Sequence, residues 1–202
     1  MKRLLSPLLT ILLTLDLATV DLAAVAAPAP SAPPALKAGV FEPPRQAPDF
    51  TLLGSDGKEL RLSRYRGKLV LMSFGFTTCT EVCPITLATL AATRRALGAA
   101  ADAVQVIYVT VDPERDSAQR MKGYLAAFDP GFVGATGKPE ALAAMRKDYG
   151  AHAKKIAMAD GYLFDHTSSI YLIDREGRLR AMMPYGHDAK DFVHDIQLLL
   201  AK

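Results

Sequence analysis

Lys68-Leu69-Val70-Leu71-Met72-Ser73-Phe74-Gly75-Phe76-Thr77-Thr78-Cys79-Thr80-Glu81-Val82-Cys83-Pro84 is the stretch from which the fold can be read. Lys68 to Phe74 is a nearly continuous apolar run, the pattern of a strand covered on both faces. From about Val82 to Gly98, Leu87, Leu90, Ala91 and Leu97 line one side, so a helix should follow the strand. Cys79 and Cys83, the two cysteines of the chain, lie between them. That junction is the carboxyl end of a strand, where open α/β sheets place their ligands.

The same alternation continues downstream. Val104 to Val111 reads as a buried strand, Ser117 to Phe128 as a helix and Phe132 to Ala135 as a short strand. Pro139 suits the first turn of a helix running to about Tyr149. Ser169 to Ile173 and Leu179 to Met183 form strands joined by the turn Asp174-Arg175-Glu176-Gly177, and Asp188 caps a last helix ending near Ala201. Upstream, Phe50 to Leu53 and Leu60 to Leu62 flank Gly54-Ser55-Asp56-Gly57, an N-terminal β-hairpin. The expected fold class is α/β, with a central mixed sheet flanked by helices. Ala151 to Tyr162 is expected to be a surface loop that moves over the site or meets a partner.

Composition limits what such a domain can do. The chain has 202 residues, 50% hydrophobic and 22% charged, with 24 Lys+Arg against 21 Asp+Glu. That is globular, and long enough for one domain plus a leader. A net charge of +3 with no Lys/Arg stretch to track phosphates gives no reason to expect nucleic-acid binding. Two cysteines cannot make a four-cysteine zinc site. Lys2 and Arg3 precede the apolar Leu4 to Leu15, and Ala24-Val25-Ala26 has the small residues a signal peptidase reads. Residues 1–26 therefore read as a signal peptide, with an uncleaved anchor as the alternative. Residues 27–48 interleave Pro and Ala as an extended, mobile tether, and the folded domain is expected over 49–202. The domain is expected to be exported, to a bacterial periplasm or the outer face of the cytoplasmic membrane.

The cysteine pair carries the chemistry. In a helix, a spacing of four would put both sulfurs on one face with Cα atoms roughly 6 Å apart, which permits a disulfide or shared metal ligation. A helix N-terminus favours the thiolate that both metal binding and disulfide exchange require. His166, in Leu163-Phe164-Asp165-His166-Thr167, is the candidate third partner, with Asp165 as its support. His152, His187 and His194 are weaker candidates, on a basic loop, a helix border and a helix. The methionines beyond Met1 are scattered and read as packing. Asp112-Pro113-Glu114-Arg115-Asp116 reads as a turn held by internal ion pairs rather than an acid–base pair. An inert disulfide remains the plain alternative for Cys79 and Cys83.

From about Ala47 to Lys202 the sequence resembles the Sco/SenC proteins, which help assemble the copper centre of cytochrome c oxidase. The resemblance rests on Gly75-Phe76-Thr77 with Cys79-x-x-x-Cys83-Pro84, on Val109-Thr110-Val111-Asp112-Pro113-Glu114-Arg115-Asp116, and on Asp165-His166-Thr167 through Tyr171-Leu172-Ile173-Asp174. It implies a thioredoxin-like fold, with Cys79, Cys83 and His166 in the places of the family's copper ligands. Asp112 falls on a family signature near that site. Implied partners are the copper-bearing oxidase subunit and another copper donor protein, with membrane association through the N-terminus. Many members carry Pro-Asp where this chain has Thr80-Glu81.

Two thiolates suit Cu(I), and imidazole accepts Cu(I) and Cu(II) alike. A structural zinc site would need a fourth protein ligand. The rival reading is a thiol-disulfide oxidoreductase that keeps the oxidase subunit's cysteines reduced, Cys79 and Cys83 being its catalytic pair. Usual thioredoxin-fold exchangers carry CxxC and a proline before the facing strand, and Phe164-Asp165-His166-Thr167 has none. A peroxidase reading rests on Thr80-x-x-Cys83-Pro84, but Phe76 stands where such enzymes carry a proline.

Overall fold

Strands β4 (Leu69–Gly75) and β5 (Val104–Thr110) run parallel down the middle of the protein, in register from Leu69 opposite Val104 to Gly75 opposite Thr110. Every residue of both is buried, so both faces of the sheet are covered, as the apolar run predicts. Each fully buried Val, Leu or Ile contributes about 1.5–3 kcal/mol, which makes this pair the core of the fold.

In the computed structural model, which describes residues 35–201, β4 and β5 lie within an eight-stranded mixed sheet. On one side β5 pairs in parallel with β6 (Val133–Thr136). The expected hairpin, β2 (Thr51–Gly54) and β3 (Glu59–Arg61), then adds antiparallel to β6. On the other side β4 pairs antiparallel with β9 (Ile170–Ile173), and β9 with β10 (Arg178–Met183). Helix α1 (Val82–Leu97) follows β4, α2 (Ala118–Ala126) follows β5 and α3 (Pro139–Asp148) follows β6. The last helix, α4 (Ala189–Leu200), is capped by the Asp188 carboxylate, which accepts the Lys190 and Asp191 N–H groups. It packs beside α1, and α2 packs on β6.

Two expectations are corrected. The first is the tether, since Gly39–Gln46 forms β1 and pairs antiparallel with β10. An open edge on β10 would leave its N–H and C=O groups without partners, and β1 supplies them. Pro43 and Pro44 fall in the register break between Val40 and Arg45, at a sheet edge, where proline costs no ladder bond. Buried Asp195 of α4 holds the start of the segment, accepting the Lys37 and Ala38 N–H groups at 2.7 and 2.9 Å. The folded unit therefore begins more than ten residues before Asp49. Residues 1–34, with the signal-peptide reading and the first part of the tether, lie outside the described residues.

The second correction is the loop at 151–162. Ala153–Met158 and Gly161–His166 are β7 and β8, a separate two-stranded antiparallel ribbon. Strand β8 alternates, with Tyr162, Phe164 and His166 turned inward, but no residue of either strand is fully buried and β7 follows no such pattern, so the apolar signal in the sequence is weak.

Asp195→Ala should lower unfolding free energy by about 1–3 kcal/mol, because the buried Ala38 N–H and the part-buried Lys37 N–H lose their acceptor. Hydrogen exchange should speed up at Lys37 and Ala38 while the β4 and β5 amides stay protected. Urea unfolding with amide exchange checks both.

Candidate functional site

Because β4 and β5 are parallel, the loops that leave them emerge side by side. The Val111 N–H donates to the Gly75 carbonyl at 2.8 Å, joining the two exits. Gly75 permits this approach: a Cβ there would stand 2.1 Å from the Tyr108 hydroxyl oxygen. Phe76 and Thr77 continue inward, the Cys79 N–H bonds the Phe76 carbonyl at 3.3 Å, and α1 begins at Val82. Cys83 and Pro84 thus occupy the first helical turn, where proline leaves no interior bond unmade.

Cys79 lies ahead of the helix, so a turn rather than a shared helical face brings the cysteines together. Both are free thiols, Cys79 half-exposed and Cys83 only 2% exposed. The helix N-terminus was expected to favour the thiolate, but burial outweighs it and pushes the Cys83 thiol up to about 12. Hydrogen bonding from the Tyr108 hydroxyl and the Phe76 N–H offsets only part of that rise, and the adjacent Cys79 adds to it.

His166 ends β8, opposite Ala153 of β7. Its Nε2 lies 3.7 Å from Cys83 Sγ, although the residues are 83 positions apart. Its Nδ1 lies 2.9 Å from the Thr167 carbonyl, which can only accept. That contact assigns the proton to Nδ1 and leaves a bare lone pair on Nε2 facing the sulfur. Burial holds the imidazole below its ordinary pKa, so it is neutral at pH 7. Phe76 packs edge-on against the ring at 5.7 Å.

Asp165 does not support His166 as expected; the Thr167 carbonyl does. Asp165 instead faces His152 Nε2 at 3.4 Å, and the Thr167 hydroxyl lies 3.0 Å from His152 Nδ1. His187 and His194 pair with Asp191 and Asp195, away from the thiols.

Two buried carboxylates position the site. Asp116 accepts the Thr77 N–H at 3.0 Å, the Thr77 hydroxyl at 2.5 Å and the Thr110 hydroxyl at 2.7 Å, tying the cysteine loop to the end of β5. Asp112 pairs with Arg115, as the reading of 112–116 expects, and also accepts the Tyr162 hydroxyl at 3.0 Å. Arg115 Nη1 donates to the Tyr162 carbonyl at 3.1 Å, and its guanidinium lies 3.8 Å from that ring's centroid. Lys155 completes the clamp by bonding Glu114 at 2.8 Å. The acidic turn therefore holds the ribbon that carries His166. Sequence reasoning missed Thr77, Asp116, Tyr108 and Tyr162, whose partners are far away in the chain.

Cys83 and His166 are thus brought together, with Cys79 beside them in the wall of a shallow pocket that includes Phe76, Thr80 and Leu163. Among the described residues no three His, Cys, Asp or Glu side chains already form a complete metal-binding cluster. The profile described as SCO1/SenC matches residues 41–201. The chain belongs to the SCO1/SenC family.

Like that family's solved members, this Sco/SenC protein is thioredoxin-like. It is 37% identical to the copper-bound ScoI of Bradyrhizobium japonicum, with a TM-score of 0.71 over 76% of this chain and 99% of that one. The apo Sco1 of Thermus thermophilus is 36% identical, with a TM-score of 0.74 over 82% and 97% of the two chains. A mouse mitochondrial SCO2 homolog is 34% identical over 157 residues, 76% of this chain and 62% of that protein. The chain spans about half to two-thirds of the length of the curated relatives it matches.

Asp116→Asn should destabilise the protein by roughly 1–3 kcal/mol, since an amide cannot accept all three donors. It should also loosen the cysteine loop, so alkylation of Cys79 should accelerate more than the loss of global stability explains. Urea unfolding and timed alkylation under native conditions test this together.

Proposed function

We propose that this Sco/SenC protein carries copper as Cu(I) on Cys79, Cys83 and His166 and passes it to the copper-bearing subunit of cytochrome c oxidase. The observation that carries the reading is the bare Nε2 of His166, 3.7 Å from the Cys83 sulfur. A soft sulfur and a neutral imidazole face each other at a covered position, with a second sulfur nearer the surface. That donor set fits Cu(I), and its copper-bound relative in Bradyrhizobium japonicum supports the assignment.

The differing exposure of the sulfurs suggests an order of events. Cys79 at the surface meets the incoming ion, and Cys83 and His166 then hold it away from water. Cys83 enters as a thiolate, so its proton is released, and the binding energy of the metal drives that release. On delivery, a partner's thiolate enters from the Cys79 side before the inner ligands let go. Exchange with an external disulfide, which would take the two electrons and two protons and leave as two thiols, would join Cys79 to Cys83, remove both sulfur ligands and stop loading.

Export to the outer side of a bacterial membrane fits this role and is supported by the charged-then-apolar N-terminus. Among the described residues no helix is long and apolar enough to cross a membrane. Loading by a separate copper donor protein completes the proposal. Thiol-disulfide exchange is the second reading: the half-exposed Cys79 stands where a partner disulfide would be attacked, and Cys83, whose thiol burial pushes up to about 12, would have to resolve the mixed disulfide.

Anaerobic titration of the reduced protein with Cu(I), against a competing chelator, should find one tightly held ion per chain. Cys83→Ser should abolish that binding, and His166→Ala should weaken it at least about tenfold. Affinity should rise with pH by about tenfold per unit for each proton displaced, because the Cys83 thiol stays protonated up to about 12. Binding no tighter than at a surface thiol, with both cysteines still reactive toward disulfides, would replace the copper reading with thiol exchange.

A further inference from the structure

Part-buried arginines in this fold face carboxylates: Arg94 meets Asp129, Arg115 meets Asp112 and Arg180 meets Asp174. Arg146, half-buried on α3, faces none. Its guanidinium has no hydrogen bond or ion pair with any described residue. Burial pulls its pKa down, and no neighbouring carboxylate raises it again. Taking a cation partly out of water without a counter-charge costs stability. Arg146 lines a cavity of about 200 Å³ whose other walls include the apolar Val111, Pro113, Leu142 and Phe164. The cavity's second cation, Lys155, is already held by Glu114 at 2.8 Å, and the Tyr162 hydroxyl bonds the same carboxylate at 3.0 Å. Asp112, also in the lining, is taken by Arg115 and Tyr162. One uncompensated positive charge remains there, that of Arg146.

A single cation in an apolar-walled cavity fits a ligand with one negative charge and an apolar stem. A planar carboxylate matches the guanidinium fork with two parallel N–H···O bonds. A phosphate dianion would leave a negative charge uncompensated in a cavity that already holds Glu114. Phe164 ties this cavity to the site, because its ring also walls the pocket of Cys79 and packs on Phe76 at 5.8 Å. A group seated against Arg146 therefore stands one side chain away from the pocket of Cys79. We propose that Arg146 and these apolar walls form a subsite for a glutamate or aspartate side chain of the protein that docks at Cys79. The subsite stands on the cavity alone; its assignment to the docking protein rests on the delivery reading above. The acidic side chain fixes where the partner sits while ligands exchange at the sulfur.

Amide NMR of the reduced, metal-free protein at low salt tests the subsite, with the blocked tripeptide acetyl-Ala-Glu-Ala-amide and its Gln counterpart as probes. The Glu peptide should give saturable shifts at the Leu142, Arg146 and Phe164 amides. The Gln peptide should bind about tenfold more weakly or worse, the worth of hydrogen bonding between charged groups. Arg146→Met keeps the apolar stem and should lose the preference for Glu. Lys147→Met, at an exposed neighbour on α3 outside the cavity, should keep it. The urea midpoint of Arg146→Met should equal the wild type's or rise, because the substitution removes a part-desolvated charge and no bond. No saturable shift with the Glu peptide, equal binding of both peptides, or unchanged Glu binding by Arg146→Met would each overturn the subsite. If free butyrate binds more than about tenfold tighter than the Glu peptide, the cavity takes a small acid and the docking role is overturned. Cu(I) affinity should be the same in Arg146→Met and wild type. A wild type that holds no Cu(I) removes the delivery reading and the docking role with it, while the peptide titration still decides the subsite.

Discussion

The buried carboxylate of Asp116 is the constraint around which the site is built. It binds the Thr77 backbone and hydroxyl on one loop and the Thr110 hydroxyl at the end of the neighbouring strand. The parallel pairing of β4 and β5 brings these two exits side by side, but pairing alone does not set how the cysteine loop leaves the sheet. A carboxylate with no exposure must have its oxygens satisfied, so the loop is held wherever its donors can reach. Four residues earlier, Asp112 does the same for the ribbon through Tyr162 and Arg115. One short acidic turn therefore sets both halves of the site: the thiols on one side, the imidazole on the other.

This arrangement gives the thiols unequal characters. Cys79 stands in the pocket wall at the surface, whereas Cys83 is enclosed with Phe76, Tyr108 and His166 around it. Enclosure works against the helix N-terminus and keeps the inner sulfur protonated. The imidazole beside it is also kept neutral by burial, with its free lone pair turned inward. A pair of uncharged donors packed against aromatic rings is stable while empty of charge. It becomes anionic only when something displaces the thiol proton.

Much of the fold was legible because its core strands are covered on both faces. The run Lys68 to Phe74 and the run Val104 to Val111 admit few other readings, and the boundaries of β9, β10 and α4 follow from their turns and caps. What was not legible had little apolar signature. Strand β1 is polar and carries two prolines; it is ordered by the open edge of β10 and by Asp195, residues more than 130 positions away. The ribbon β7–β8 is half-buried, and it rests on Phe76 through Phe164 and on clamps to Asp112 and Glu114, all far away in the chain. Local pattern cannot show a strand whose reason for existing lies elsewhere in the chain.

The sequence by itself determined the α/β alternation, the position of Cys79 and Cys83 at a strand-to-helix junction, and His166 as their candidate companion, because these depend on periodicity and residue chemistry within short windows. Only the tertiary structure decided that the imidazole turns its Nε2 to Cys83, that a backbone carbonyl rather than Asp165 orients it, and that the inner thiol is held protonated. The first depends on a partner 83 residues away and the last on burial; the orienting carbonyl belongs to the next residue, Thr167, but which group takes that place is set by how the strand packs. Burial is a property of the packed chain, and no stretch of sequence carries it alone.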